Sequence, residues 1–358
     1  MVRRPTERTG RGEVSRGNDA RLSRRVLLRG ALAAGAGAAA TVVLSSCSTE
    51  PPMRQPTRRS PTSSGEAASV RSIPQQLTAI PQGYASPAEQ QGTLVELNYS
   101  TYESMTYEQR TERLIKRAIV YLPPGYAEAE RYDVFYLMHG GWGDETTTLG
   151  TTGSPSDFKN VLDNAIAAGE IAPLIIVCPT YNNTGPDDSA DFGLALTLTE
   201  NYHHELLNDL VPAVERRFAA YAENVSPDGL AASRDHRGFG GFSMGAVTTW
   251  RTFQYGLDCF RYFLPMSCGT PLDMDNIIDA AGTRDPSDYF VWIITGTEDF
   301  ARPYDEARVR LLQESPYFTE SDTEQDGDFA FRVRDGYGHD AVAASEYTYN
   351  GLRWFWGS

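Results

Sequence analysis

Apolar residues recur along this chain in two alternating forms: short continuous runs, and longer stretches with a helical period. Runs at 132–138, 172–178, 237–242, 261–266, 289–295 and 329–334 predict buried strands. Segments 93–98 and 116–122 predict two opening strands, paired antiparallel. Between them, 156–168, 244–255, 303–313 and 341–356 predict helices. In the second of these, Met244, Val247, Trp250 and Phe253 are spaced by three. A long helix is expected over 200–221, with Leu206, Leu207, Leu210, Val211, Val214 and Phe218 on its apolar face and a kink at Pro212. Strands separated by helices predict a mostly parallel sheet covered on both faces. The expected fold class is α/β, a mostly parallel central sheet with helices on both faces, in a single domain over 81–358. Loops at 142–155 and 180–197 fall at the C-terminal ends of strands, where ligand sites form in such sheets.

Composition changes this picture chiefly at the N-terminus. The chain has 358 residues and a net charge of −15. Its first 46 residues hold nine arginines and three acidic residues, so the remainder carries −21. That acidity excludes nucleic acid and a polybasic membrane contact as partners. Ser23-Arg24-Arg25-Val26-Leu27-Leu28 resembles a twin-arginine export motif. A weakly apolar run over 30–44 follows, too short and too rich in Ala and Gly for a membrane span. It ends in Leu44-Ser45-Ser46-Cys47, which resembles a bacterial lipobox. That implies removal of residues 1–46 and lipidation of Cys47, the one membrane contact expected, on the outer side of the cytoplasmic membrane. Residues 47–80, rich in Pro, Ser, Thr and Arg, are expected to act as a flexible linker. Cys259 and Cys268 are candidates to pair after export, and no Cys/His spacing suggests a metal. No cofactor is implied.

The candidate chemistry centres on Gly241-Phe242-Ser243-Met244-Gly245, a G-x-S-x-G pattern between a predicted strand and a predicted helix. A Cβ at either glycine would collide where strand and helix pass. A serine hydroxyl needs an adjacent base, and the base an orienting acid. In hydrolase order both lie downstream. His339 is the only histidine there. The acid is expected after strand 289–295: Asp299 is favoured, with Glu298 and Asp335 as competitors. The Met244 amide is one expected oxyanion donor. The Gly141 amide, in His139-Gly140-Gly141-Trp142, is the other, with Trp142 as its alternative. His139 itself is expected to be a structural loop residue. Trp142, Tyr181 and Asn182 are candidate walls of a substrate pocket.

With these residues in place, the chain resembles the esterase-D-like hydrolases, and within them carbohydrate esterase family 1. The resemblance covers residues 90–358. It rests on Leu137-Met138-His139-Gly140-Gly141, Asn208-Asp209-Leu210-Val211-Pro212, Arg234-Asp235-His236-Arg237-Gly238-Phe239, the Ser243 pentapeptide, Gly296-Thr297-Glu298-Asp299 and Gly338-His339-Asp340. It is strongest to feruloyl esterase domains of bacterial xylanases. It implies hydrolysis of feruloyl or acetyl esters on arabinoxylan, with Ser243 as nucleophile, Asp299 as acid and His339 as base. Cys268 stands where relatives are expected to have glycine. Two other functions fit the same features: acyl transfer on lipid esters, as in mycolyltransferases, and a non-catalytic glycan-binding lipoprotein.

Overall fold

The computed structural model describes residues 71–357, so the expected signal segment, Cys47 and most of the expected linker lie outside the described residues. The sheet begins with β1 (Thr93–Tyr102), β2 (Arg113–Leu122) and β3 (Asp133–Met138). A small hairpin, β4 (Gly150–Thr151) with β5 (Ser154–Pro155), interrupts the loop expected at 142–155. Next come α1 (Asp157–Ala167), β6 (Leu174–Cys178), α2 (Phe192–Glu205), α3 (Val211–Arg217) and α4 (Pro227–Ala232). β7 (Arg237–Phe242), α5 (Met244–Gly256), β8 (Tyr262–Met266), α6 (Met274–Ala281), β9 (Phe290–Gly296), α7 (Arg302–Glu314), β10 (Phe329–Arg334) and α8 (Ala341–Phe355) complete the chain.

Eight strands form one sheet in the order β1-β2-β6-β3-β7-β8-β9-β10. β2 is antiparallel to both its neighbours, and every pair from β6 to β10 is parallel. This is an α/β-hydrolase fold, and its parallel strands bring the ends of β3, β6, β7, β9 and β10 to one edge. Alternation along each strand divides the core. Val134, Tyr136 and Met138 of β3 face one apolar layer with Trp250 and Phe253 of α5, while Phe135 and Leu137 face the other with Leu352 and Phe355 of α8.

Three boundaries depart from the sequence pattern. The expected long helix is two helices joined by a π-turn at Leu206–Leu210, where the Val211 N–H bonds back to the Leu206 carbonyl. Pro212 lacks an N–H and would press its ring on the carbonyl four residues back; the wider turn just before it accommodates this. The turn's Asp209 accepts hydrogen bonds from Thr101 and Tyr107, both at 2.8 Å, tying it to β1 and the segment after it. The expected loop 180–197 ends early because Asp191 caps α2 through the Leu194 N–H at 2.9 Å. Finally, part of the expected linker, residues 73–78, packs against β10 and α8. Ile73 and Leu77 are buried in the α8-side core, and Asn350 holds Thr78 through both its N–H (2.9 Å) and its carbonyl (2.8 Å). Arg332 and Arg334 of β10 donate to the Pro74 and Leu77 carbonyls.

One buried ion pair secures the strand under the site. Arg237, at the start of β7, pairs with Glu215 of α3 and also donates to the Leu230 and Cys259 carbonyls at 2.7 and 2.8 Å. Removing one partner from such a pair strands a buried charge, at a cost of about 3–5 kcal/mol.

Candidate active site

β7 ends at Phe242, and Ser243 turns the chain directly into α5. Its backbone has φ +59° and ψ −115°, a conformation that L-residues rarely adopt. The turn is held by three backbone hydrogen bonds. The Ser243 N–H donates to the Met266 carbonyl at 2.9 Å, and the Ser243 carbonyl accepts from Ala246 and Val247 in the first turn of α5. The two flanking glycines are required by space. A Cβ on Gly241 would lie 2.6 Å from the Met138 carbonyl oxygen, and one on Gly245 only 2.4 Å from the same atom. β3 therefore passes too close to the elbow for any other residue.

His339 lies in the turn between β10 and α8, and its Nδ1 faces both carboxylate oxygens of Asp299, at 2.8 and 3.1 Å. Asp299 follows β9 and is buried. Burial alone would raise its pKa, yet hydrogen bonds from His339 and from the Ala301 N–H (2.8 Å) outweigh it and hold the carboxyl below its ordinary value. A carboxylate only accepts, so Nδ1 carries the proton and Nε2 is the free ring nitrogen. Asp335 instead accepts from the Thr297 hydroxyl at 3.2 Å, away from His339.

The β3 exit, His139 to Gly143, lies beside the elbow. A Cβ on Gly140 would sit 3.2 Å from the Phe242 carbonyl oxygen and 3.4 Å from Ser243 Cβ. His139 is buried and serves the loop's structure: Nδ1 contacts the Gly140 carbonyl at 2.7 Å and Nε2 the Thr180 hydroxyl at 2.8 Å. Burial lowers its pKa to about 4, so it is neutral at pH 7. The Trp142 N–H is occupied by the Ser189 carbonyl at 3.0 Å, which leaves Gly141 as the donor the loop can offer.

Ser243, His339, Met244, Gly141 and Trp142 all line one cavity of about 530 Å³. Its remaining wall is largely apolar, with Phe192, Phe242, Phe300 and Met266. Trp142, Phe192 and Phe300 are exposed at its mouth, and the Phe242 and Phe300 rings stand 4.5 and 4.3 Å from that of His339.

Comparison with known proteins places this arrangement. A family model described as putative esterase matches residues 109–272. Endo-1,4-beta-xylanase Y of Acetivibrio thermocellus is 34% identical over 288 residues, which are 78% of this chain and 24% of that protein. The endo-1,4-beta-xylanase/feruloyl esterase of Xylanibacter ruminicola is 28% identical over 180 residues, 49% of this chain and 22% of that protein. The chain thus spans about a quarter of the length of these curated relatives. Among solved structures, a serine-to-alanine variant of the feruloyl esterase module from Clostridium thermocellum, complexed with sinapinate, is 32% identical. Its TM-score is 0.67, and the match covers 80% of this chain and 96% of that one. The chain belongs to carbohydrate esterase family 1. By family it is a serine ester hydrolase.

Two pocket expectations for this family member need correction. Tyr181 and Asn182 do not line the cavity but lie buried behind it. The Tyr181 phenol donates to the Gly140 carbonyl at 3.0 Å. Asn182 donates to the Gly143 and Pro186 carbonyls at 3.1 and 2.7 Å and accepts from the Ser189 N–H at 2.8 Å. Both side chains hydrogen-bond backbone groups of the loops behind the cavity. The wall residues missed in the sequence are Phe192 and Phe300. Phe192 is the first residue of α2, and the Asp191 cap was the available signal; Phe300 had none beyond its place after Asp299. Cys178, Cys259 and Cys268 are free thiols, so no disulfide forms among the described residues. Cys268 is buried, its N–H donates to Asp305 at 3.2 Å and its carbonyl accepts from Arg308 at 2.8 Å. Its backbone thus anchors the β8 exit beneath the acid.

Proposed function

We propose that this protein is an exported serine esterase that removes hydroxycinnamoyl groups of the feruloyl type from plant polysaccharide or its oligosaccharides. The observation that carries the reading is one shared cavity. Ser243 enters it from a strained elbow, and His339 enters it already oriented by a buried carboxylate. In the reaction, Ser243 Oγ attacks the ester carbonyl while His339 Nε2 takes its proton. The Met244 and Gly141 N–H groups receive the oxyanion. The tetrahedral intermediate collapses, and the sugar alcohol leaves with the proton from His339. Water, deprotonated by His339, attacks the acyl-enzyme and releases the carboxylic acid and Ser243.

Size and lining favour an aromatic acyl group. A cavity of about 530 Å³ walled by Phe192, Phe242, Phe300 and Trp142 suits a phenylpropenoate, and an acetyl group would leave most of it unfilled. The Clostridium thermocellum relative, complexed with sinapinate, supports the same class. Export and anchoring through Cys47 rest on the N-terminal sequence alone.

Hydrolysis of methyl ferulate, acetylated xylan and a lipid ester, measured side by side, tests the substrate class. Methyl ferulate is expected to be cleaved fastest; preference for either of the others overturns the acyl assignment. Ser243→Ala is expected to abolish both hydrolysis and labelling by a fluorophosphonate probe. For the anchor, Cys47→Ala is expected to shift the protein from the membrane fraction to the medium.

A further inference from the structure

We propose that Tyr181 is a positioning residue for the oxyanion hole: its phenol holds the Gly140–Gly141 peptide so that the Gly141 N–H points into the cavity. The inference rests on the acyl-enzyme reading above and adds what keeps its second oxyanion donor in place. A trans peptide sets its C=O and the following N–H on opposite sides. The Gly140 carbonyl is drawn to the protein side by two donors, the Tyr181 phenol at 3.0 Å and His139 Nδ1 at 2.7 Å. The Gly141 N–H is thereby turned to the other side, where the cavity lies.

The hydrogen bonds behind this peptide are mutually consistent. The Gly140 carbonyl can only accept, so His139 Nδ1 carries the proton. Nε2 then accepts from the Thr180 hydroxyl at 2.8 Å, and that hydroxyl accepts the Asn182 N–H at 3.0 Å. The Tyr181 ring lies against His139, with centroids 4.5 Å apart. Burial raises the phenol above its ordinary value, so it stays a donor throughout the working range. The next residues are also fixed: the Gly143 carbonyl accepts from Asn182 and from the Ser189 hydroxyl at 2.7 Å. A Gly–Gly peptide has no Cβ to resist a flip. Its orientation must come from outside, and the segment after β6 supplies it.

Tyr181→Phe tests this with methyl ferulate as substrate. Deleting an oxyanion donor outright costs about 10²–10³ in kcat, so loosening one is expected to lower kcat by about tenfold. KM and the Kd of the planar product ferulate are expected to stay within about twofold, and the melting temperature within about 3 °C. An arylboronic acid, which forms a tetrahedral adduct on Ser243, is expected to bind about tenfold more weakly, following kcat. Unchanged kcat, or equal weakening of ferulate and boronate, overturns the positioning role. If Tyr181→Phe does not fold, Thr180→Val, which releases His139 from the other side, must give the same split between ferulate and boronate; its absence overturns the role equally. Ser243→Ala, run alongside, separates the two readings. Retained hydrolysis there overturns the acyl-enzyme reading itself, whereas loss there with an unaffected Tyr181→Phe overturns only the role of Tyr181.

Discussion

His339 Nδ1 faces both oxygens of the Asp299 carboxylate, at 2.8 and 3.1 Å, while Glu298, one residue earlier, takes no part. The pairing fixes which ring nitrogen carries the proton. Asp299→Asn presents an amide that can donate to Nδ1 and so favours the wrong tautomer. It is expected to lower kcat by about 10³–10⁴ with KM little changed. Glu298→Ala is expected to change kcat by less than about threefold. Steady-state kinetics on an aryl ester compares the two, and a larger loss in Glu298→Ala would sink the assignment of the acid.

The backbone at Ser243 carries strain that a glycine would not feel. Strained positions of this kind cost about 1–3 kcal/mol. Ser243→Gly is therefore expected to be more stable than Ser243→Ala by about 1 kcal/mol, after allowing for the greater entropy glycine loses on folding. Both variants are expected to be inactive. Urea denaturation of the pair measures the difference. Equal stability would show that the elbow costs nothing to hold.

Acid should weaken the fold through His139. Its pKa is lowered to about 4 by burial, with the Gly140 carbonyl and Asp144 opposing and Lys116 assisting. Between its ordinary value near 6.5 and about 4, the unfolded chain binds a proton that the folded chain does not. Stability therefore falls as pH falls through this window, by about 2–3 kcal/mol between pH 7 and 4.5. His203 is lowered to about 4 as well, chiefly by burial, so the comparison must be differential. His139→Asn is expected to lose less on acidification than the wild type, by about that amount. Denaturant midpoints at the two pH values provide the check.

Trp142 is 78% exposed and has φ +58°, so its ring contributes little to the core while lining the mouth of the cavity. Trp142→Ala is expected to raise KM for methyl ferulate about tenfold, with kcat and melting temperature nearly unchanged. Phe300→Ala is expected to act in the same direction. A fall in stability with unchanged KM would make these rings structural.

What was legible in the sequence follows from what each residue's signal depends on. Ser243, His339 and Asp299 are read from order, because a parallel sheet delivers the ends of β7, β9 and β10 to one edge. The strands themselves are legible because their apolar runs are continuous, and β10 appears at the limits the pattern predicts. Tyr181 and Asn182 were misplaced for a physical reason. A residue just past a strand end points either into the cleft or beneath the neighbouring loop, and periodicity does not distinguish the two. Phe192 opens α2 and Phe300 lies in the turn after β9; a lone exposed aromatic in such a place leaves no period, and only the Asp191 cap marked the first of them. The 71–80 segment was hidden by its composition, although Ile73 and Leu77 are spaced by four.

That short segment sets where the polypeptide can be trimmed. Its Ile73 and Leu77 side chains, each worth about 1.5–3 kcal/mol when buried, pack under the pair of elements whose connecting turn carries His339. A version of the protein beginning at Thr93, the first residue of β1, would keep every strand and helix of the hydrolase fold. It would nonetheless uncover the back of β10 and the Asn350 face of α8. The base would then swing on a loosened hinge, and activity would fade on warming before the sheet melted.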